Sequence, residues 1–290
     1  MFRKNFIGIY GSKDHTKIAK GLFLSVLVVS STIPFFLMVP EATPALAQPE
    51  VVATIPGLIA AQASAYDPVH ERMYVVGGDN VYIIDVNTNM QTSDSPINIP
   101  GSHMVGIAYD SYDERMYITD SETNNVQVID TPHTLGAPIE IGGSNFVSSG
   151  IVYNPDRLGG RLYVSVFDRT QDEGVIKVIN PNTNQVSNTI ALTEGYGRPS
   201  GIAYDPDHQR MYVNRQGSFD NPQANSIVDI IDTTTNTLDN TNGPVEVGRQ
   251  PLDVIAYDWL SNVEKYGLQE CSTLCRWYIR LGRSWISIRG

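Results

Sequence analysis

Apolar stretches recur along this chain at a spacing that no helix explains. Between Ser64 and Asp258, short segments rich in Val, Ile and Tyr alternate with clusters of Asp, Asn, Pro and Gly, the pattern of strands joined by tight turns. One segment, Gly201-Ile-Ala-Tyr-Asp205, is almost wholly apolar, as a strand buried on both faces must be. A later one, Val228-Asp-Ile-Ile-Asp232, alternates, with Val228 and Ile230 on one side and Asp229 on the other.

These segments form a unit that is written repeatedly. Its first half stands at Ser64-Ala-Tyr-Asp-Pro68 with Arg72-Met-Tyr-Val75, and at Gly106-Ile-Ala-Tyr-Asp110 with Arg115-Met-Tyr-Ile118. It returns at Gly150-Ile-Val-Tyr-Asn-Pro155 with Arg161-Leu-Tyr-Val164, and at Gly201-Ile-Ala-Tyr-Asp205 with Arg210-Met-Tyr-Val213. The second half runs Val81–Asp85, Val126–Asp130, Ile176–Asn180 and Val228–Asp232. A last element follows at Pro96–Ile99, Pro138–Ile141, Val186–Ile190 and Pro244–Val247. Tyr66, Tyr109, Tyr153, Tyr204 and Tyr257 are spaced 43, 44, 51 and 53 residues apart. A unit of that size, with four strands and no helical period, cannot bury its own apolar face and must stack on the next. The expected fold is therefore all-β: a β-propeller of four-stranded blades, four repeats plus a fragment, in an incomplete ring.

The ends depart from the repeat. Lys13, Lys17 and Lys20 precede an uncharged run from Gly21 to Pro40, and Ala45-Leu-Ala47 offers small residues at a signal-peptidase spacing. Residues 1–47 read as a secretory signal, with a retained membrane anchor as the alternative, so residues 48–258 are expected outside the cytoplasm, extracellular or on the cell surface. Val51-Val-Ala-Thr-Ile55 reads as the closing strand of a unit whose other strands are missing. A fifth copy begins at Asp253-Val-Ile-Ala-Tyr-Asp258 and does not reach its Arg-Met-Tyr. Residues 259–290, which hold all 3 tryptophans, read as an aberrant tail outside the pattern.

Charge narrows the partners. The chain has 20 basic and 31 acidic residues; residues 48–258 hold 10 and 27, a formal net of 17 negative charges. Such a field disfavours nucleic acid and anionic membranes. The chain's 2 cysteines, Cys271 and Cys275, lie in the tail, so the repeats carry neither a disulfide framework nor a thiolate metal site. No cofactor is implied.

Propeller topology sorts the loops. Turns between first and second strands are short and repetitive. The stretches between second and third strands grow from five residues after Val75 to seven after Ile118, eleven after Val164 and fourteen after Val213. These stretches and the inter-blade loops share one face, which is where binding is expected. The ligand-binding candidates on it are His103, Asp120, Tyr196, Arg198, Asn214, Arg215, Phe219 and Arg249. Asp120 and Asn214 are expected at the rim of the central opening. Tyr66, Arg72, Tyr74, Tyr109, Arg115, Tyr117, Tyr153, Arg161, Tyr163, Tyr204, Arg210 and Tyr212 are structural. The turn acids are expected to accept backbone N–H bonds, and the four arginines to pair with carboxylates in equivalent surroundings. His70 and His208 share one turn position and read as scaffold. No catalytic motif stands out: there is no Gly-x-Ser-x-Gly elbow, no His-Glu-x-x-His and no phosphate-binding glycine loop.

Ala203-Tyr-Asp-Pro-Asp-His-Gln-Arg-Met-Tyr-Val-Asn214 and Val228-Asp-Ile-Ile-Asp-Thr-Thr-Thr-Asn236 resemble the YVTN family of β-propeller repeats of archaeal surface-layer and secreted bacterial proteins. The signature tetrapeptide stands here as Tyr212-Val-Asn-Arg215, Tyr117-Ile-Thr-Asp120, Tyr74-Val-Val-Gly77 and Tyr163-Val-Ser-Val166. The resemblance covers Val51 to Asp258 and implies a seven-bladed ring, more than the units present. It is specific as to fold and nearly silent as to activity. The leading expectation is a non-enzymatic extracellular or cell-surface module that binds a protein or glycan or contributes to an envelope layer. The alternatives are a lactonase- or lyase-type propeller using Asp120, Asn214 and His103 at the opening, and a truncated product without independent activity. An open arc would also expose terminal blade faces to self-association.

Overall fold

The computed structural model describes residues 53–131, 133–155, 159–217 and 225–248, and the backbone of three further strands at 255–258, 276–281 and 284–289. The chain divides into Met1–Thr54 and Ile55–Gly290, and the architecture below belongs to the second part. The expected leader, residues 1–47, lies outside the described residues, as do Val51 and Val52. Ala53, Thr54 and Ile55 are not in a strand, so the expected closing strand is not formed over them.

Four antiparallel sheets follow one another. The first holds β1 (Ala61–Asp67), β2 (Arg72–Gly77), β3 (Asn80–Asp85), β4 (Met90–Gln91) and β5 (Ile97–Asn98). The second holds β6 (Met104–Asp110), β7 (Arg115–Asp120), β8 (Asn125–Asp130), β9 (Thr134–Leu135) and β10 (Ile139–Glu140). The third is β11 (Phe146–Asn154), β12 (Arg161–Asp168), β13 (Glu173–Asn180) and β14 (Gln185–Ala191). The fourth is β15 (Pro199–Asp205), β16 (Arg210–Arg215), β17 (Ser226–Asp232), β18 (Thr237–Leu238) and β19 (Val245–Val247). In three sheets the outer strand is broken in two, both pieces pairing with the third strand; only β14 runs unbroken. Contacts between sheets run chiefly through the first strands, β1 to β6 to β11 to β15, as inner strands around an axis must. Among the described residues the blades form an arc that does not close, the all-β incomplete propeller expected.

A fifth sheet follows, built of β20 (Ile255–Asp258), β21 (Arg276–Leu281) and β22 (Ser284–Arg289). Asp258 pairs with Arg276, Tyr257 with Trp277 and Ala256 with Tyr278. In the fourth sheet Asp205 pairs with Arg210, Tyr204 with Met211 and Ala203 with Tyr212. The register is the same, so the Arg-x-Tyr of the fifth copy stands at Arg276-Trp-Tyr278. It escapes a sequence reading because residues 259–275 separate it from Asp258, where the other copies have a turn.

The turns obey one rule. Asp67, Asp110 and Asp205, all fully buried, accept the backbone N–H groups two and three residues on through Oδ1, at 2.8–3.3 Å. Asp85, Asp120, Asp168 and Asp232 do the same at the ends of other strands. With Asn180 included, the residue four places after each Asx is left-handed: Glu71, Asn89, Glu114, Asn124, Asp172, Asn184, Gln209 and Asn236 have φ of 51–58°. The side-chain oxygen makes this backbone tolerable by satisfying amides the ladder has released. His70 and His208 close onto the same carboxylates, Nδ1 to Oδ2 at 2.7 and 2.8 Å, as scaffold.

Stacking reuses the constant residues. Tyr109 is set against Asp67 of the preceding sheet, and Tyr153 against Asp110. Burial, then these carboxylates, raise both phenol pKa values, although neither hydroxyl makes a hydrogen bond of ordinary geometry. Tyr66, with no sheet before it among the described residues, is 44% exposed. Tyr117 and Tyr163 reach forward to the left-handed asparagines of the next sheet, Asn184 at 3.3 Å and Asn236 at 2.5 Å. Ile99, Ile141 and Ile190, at the ends of the outer strands, join apolar clusters with Met116, Ile118 and Ile129, with Leu162, Val164 and Ile179, and with Met211, Val213 and Ile231. Ile55 joins Met73, Val75 and Ile84 in the same way, so the outward face of the first sheet is partly covered.

The arginines do not have the equivalent surroundings expected. Arg115 holds Asp130 at 2.6 Å and Arg210 approaches Asp239 at 3.4 Å, whereas Arg161 donates to the Gly160 carbonyl at 2.6 Å. Arg72 lies against Tyr74 and buries one terminal nitrogen without a hydrogen-bond partner. The acid facing the arginine lies on or beyond the third strand, where the copies diverge.

Adjacent inner strands approach so closely that the glycine at their head is required. A Cβ on Gly106 would meet the Ser149 carbonyl oxygen at 2.8 Å, and one on Gly150 the Ser200 oxygen at 2.5 Å. Gly150→Ala is expected to lower stability by about 1–3 kcal/mol, the usual cost of forcing an extra group into a packed site. Chemical denaturation checks this, and an unchanged midpoint would refute the close approach.

Candidate functional site

The loop face is built by prolonging each pair of first and second strands. Ser121 N–H donates to the His103 carbonyl at 2.9 Å, Arg169 N–H to Asn145 at 2.9 Å, and Gln216 N–H to Arg198 at 3.3 Å. Each inter-blade loop is thereby joined to the second-to-third-strand loop of the blade it enters, and the two sets share one face as expected. The eleven-residue stretch after Val164 is not a long loop. β12 and β13 extend through it and leave a four-residue Asx turn, Arg169–Asp172, because Phe167 and Gly174 continue the ladder.

Asp120 ends β7 in a fully buried position. Its Oδ1 accepts the N–H groups of His103, Glu122 and Thr123 at 2.9–3.3 Å, and its Oδ2 accepts Thr123 Oγ1 at 2.6 Å and Gln127 Nε2 at 3.1 Å. Burial alone would raise its pKa, but the hydrogen bonds of Thr123, His103, Ser102 and Gln127 outweigh it and hold the carboxyl at about 2. Asp120 therefore builds the loop that presents His103. The imidazole is exposed, with Nδ1 2.9 Å from Ser121 Oγ and Nε2 3.2 Å from the Gln62 amide nitrogen.

Arg215 occupies the matching end of β16 and is 1% exposed. It donates to the carbonyls of Gly197 at 2.9 Å, Thr193 at 3.1 Å and Tyr196 at 2.7 Å, and to Asp229 Oδ2 at 3.1 Å. Asp229 also accepts Thr193 Oγ1 at 2.5 Å. Burial draws the guanidinium pKa down, and the Asp229 charge opposes it. This clasp shapes the loop 193–198, so that Tyr196 is half-buried and Arg198 exposed, its guanidinium 5.2 Å from the Phe167 ring centre. Within the third sheet Lys177 lies 4.8 Å from the Phe146 ring centre and 3.2 Å from Thr189 Oγ1.

Of the predicted site residues, His103, Tyr196 and Arg198 are therefore presented on the face. Asp120 and Arg215 are not at an open rim: they are buried and engaged with loop backbone. Asn214 is fully buried too, at the third place of its tetrapeptide. At that place Thr119 Oγ1 bridges the carbonyls of Gly106 and Ser149, and Ser165 Oγ those of Gly150 and Ser200. It is an inter-blade position. Phe219 and Arg249 lie outside the described residues. Asp229 and Lys177 escaped the sequence reading, although one signal was there. The copy with a basic residue at the end of its second strand, Arg215, is also the copy with an acid inside its third, Asp229. Among the described residues no three His, Cys, Asp or Glu side chains gather as a metal site would need, and no helix is long and apolar enough to cross a membrane.

Known proteins agree on the architecture. No family model matches the chain. It is 27% identical over 153 residues to P2X receptor D of Dictyostelium discoideum, covering 48% of this chain and 36% of that protein. It is 27% identical over 176 residues to the uncharacterized protein YncE of Salmonella typhi, covering 58% of this chain and 45% of that one. The chain thus spans less than half the length of either curated relative. Among solved structures it is similar to Kuenenia stuttgartiensis hydrazine synthase, with a TM-score of 0.58 at 16% identity over 84% of this chain and 68% of that chain. It is similar to a chain of the nidogen/laminin complex, with a TM-score of 0.54 at 16% identity over 79% and 75%. The Dos1 propeller gives 0.51 at 10% identity over 71% and 50%. At such identities the likeness is one of fold, a β-propeller.

Two outcomes follow for the buried charges. The Asp120 carboxyl is held below its ordinary value of 3.8, so its stabilisation is complete above that pH and disappears as pH falls through about 2. Melting temperatures of the unsubstituted protein and Asp120→Asn should accordingly converge between pH 4 and about 2. A constant gap would refute the assignment. Arg215→Met strands Asp229 and should cost about 3–5 kcal/mol, while Arg215→Met with Asp229→Leu should recover most of it. Denaturant midpoints of both variants decide, and equal losses would refute the pairing.

Proposed function

We propose that this chain is a non-enzymatic extracellular binding module of the YVTN-repeat kind, holding a protein or glycan partner on the face that carries His103, Tyr196 and Arg198. The observation that carries the reading is how side chains are allotted. Tyrosines, turn acids and inner-strand hydroxyls are consumed in joining one blade to the next, and the copies differ chiefly on the loop face. There, buried Asp120 and the Arg215–Asp229 pair hold two loops in fixed shapes, which lowers the ordering cost of binding. The exposed groups they present are an imidazole and a guanidinium stacked on an aromatic ring, suited to hydroxyl, carboxylate or carbonyl partners.

Other features support the same reading. One similar solved chain comes from a complex of nidogen with laminin, which makes a protein partner reasonable for this arc. The strong acidity of residues 48–258 argues against nucleic acid. The lactonase or lyase reading loses support, since Asp120 is engaged with backbone amides and Asn214 stands at the place of Thr119 and Ser165.

Arg198→Glu combined with His103→Ala tests the proposal. Retention on a cell-envelope fraction and on an array of extracellular glycans should fall at least about tenfold, the loss of roughly 1.4 kcal/mol of contact, with melting temperature unchanged. Retention equal to that of the unsubstituted protein would exclude this face.

A further inference from the structure

The ends of the blades opposite the loop face are made by the turns from first to second and from third to fourth strands. Within a blade these turns are tied together: Val86 N–H donates to the Glu71 carbonyl at 3.1 Å, and Thr131 N–H to that of Glu114 at 3.2 Å. His133 Nδ1 lies 3.5 Å from Asp94 Oδ2, which joins the second blade to the first on this side.

Among the described residues the large apolar side chains that stay exposed are Ile59, Tyr66, Val69, Met90, Tyr112 and Leu135, all in the first two blades or the segment entering them. Val69, Met90, Tyr112 and Leu135 stand on the turn face, at 45–70% exposure. The fold does not ask for them. Val69 and Tyr112 donate their backbone N–H to the buried turn acid two residues before, at 2.9 and 2.8 Å, and the residue that does so in the fourth blade is Asp207. Met90 faces Asp85 in the ladder, where Thr134 faces Asp130 and Thr237 faces Asp232. Leu238 packs against Met211, Val213 and Ile231, whereas Leu135, in the same register, remains open. Polar residues serve these turns in other blades, so turn geometry does not select the apolar ones.

The ground between them is acidic. Segments 67–72, 85–94, 110–115 and 130–135 hold eight acids against two arginines. Asp67 and Asp110 are buried in their turns. Arg115 holds Asp130 at 2.6 Å, Arg72 lies against Tyr74, and His70 and His133 face Asp67 and Asp94. Glu71 accepts Asn87 Nδ2 at 2.8 Å; it and Glu114 are exposed and form no ion pair among the described residues. A second copy of this chain, with a formal net charge of -11, brings the same sign and is repelled, as are anionic lipid and nucleic acid. Charge complementarity favours a partner that is apolar and basic together.

We propose that the turn face of the first two blades docks a protein segment that sets apolar side chains on Val69, Met90, Tyr112 and Leu135 and lysines or arginines against Glu71 and Glu114. Tyr112 offers a rigid aromatic anchor and Met90 an adaptable one. This surface lies at the other ends of the strands from His103, Tyr196 and Arg198 and does not depend on them.

Synthetic peptides and the full-length chain test the proposal. A leucine–lysine peptide should bind, and leucine–glutamate and serine–lysine peptides of the same length should bind at least about tenfold more weakly. Tyr112→Ser with Met90→Thr should lower affinity for the leucine–lysine peptide at least about tenfold, with melting temperature unchanged. Glu71→Gln with Glu114→Gln should do the same and flatten the salt dependence; Gln209 already occupies that left-handed place in the fourth blade, so the turn accepts the change. Glu140→Gln with Glu246→Gln, two exposed acids elsewhere, should leave affinity unchanged. The proposal is overturned by any of four results: no binding of the leucine–lysine peptide, equal binding of the serine–lysine peptide, equal losses in the two glutamine pairs, or equally tight binding to phosphatidylcholine vesicles, which would make the surface a lipid contact.

Discussion

The structure depends on the contact between the face of one sheet and the face of the next. Tyr163, Ile176, Val178 and Ile190 on the third blade meet Met211, Val213 and Ile231 on the fourth, and each is 5% exposed or less. Full burial of one such side chain is worth about 1.5–3 kcal/mol. No single sheet obtains it alone, because both of its faces are apolar. Every blade therefore stands only as a neighbour of another, and this makes the chain a linear series whose terminal members are its weak points.

Polar groups then decide how closely the sheets approach. Gly106 and Gly150 leave room for a neighbouring carbonyl, and Thr119 and Ser165 supply a hydroxyl that bonds to both inner strands. Asp67 and Asp110 each serve twice, closing their own turn and lying beneath a tyrosine of the following sheet. A residue employed twice has little freedom to vary, and this accounts for the constancy of Tyr-Asp and Arg-x-Tyr within the chain. The loop face escapes those duties. It is free to differ between blades, and at two places a buried charge replaces the missing inter-blade regularity: Asp120 in the second blade and Arg215 with Asp229 in the fourth.

Fold was legible because it is written in repeated, short-range patterns. Asx residues four places before a left-handed residue, alternating Val and Ile, and a period near that of one blade all survive in the linear sequence. The site was legible only as a face. His103, Tyr196 and Arg198 stand on it, yet Asp120 and Arg215 looked like free polar groups until their depth and partners were visible. Polarity at the end of a strand does not reveal whether water or backbone will be the partner. Residues 165–175 misled for a related reason: a turn inside an extended hairpin and a long loop contain the same polar residues. The fifth Arg-x-Tyr was hidden by distance along the chain, since strand pairing is blind to how many residues lie between its partners.

By itself the sequence determined the class of fold, the four full repeats, the turn chemistry and the acidity of the repeat region, since each follows from residue type at fixed spacing. Tertiary structure decided which polar residues are buried, which arginine meets which carboxylate, and where the fifth copy resumes. Those outcomes depend on neighbours contributed by other blades, tens of residues away. A repeat states what every blade must contain; only the stacked arc shows which side chains the stacking leaves over for a partner.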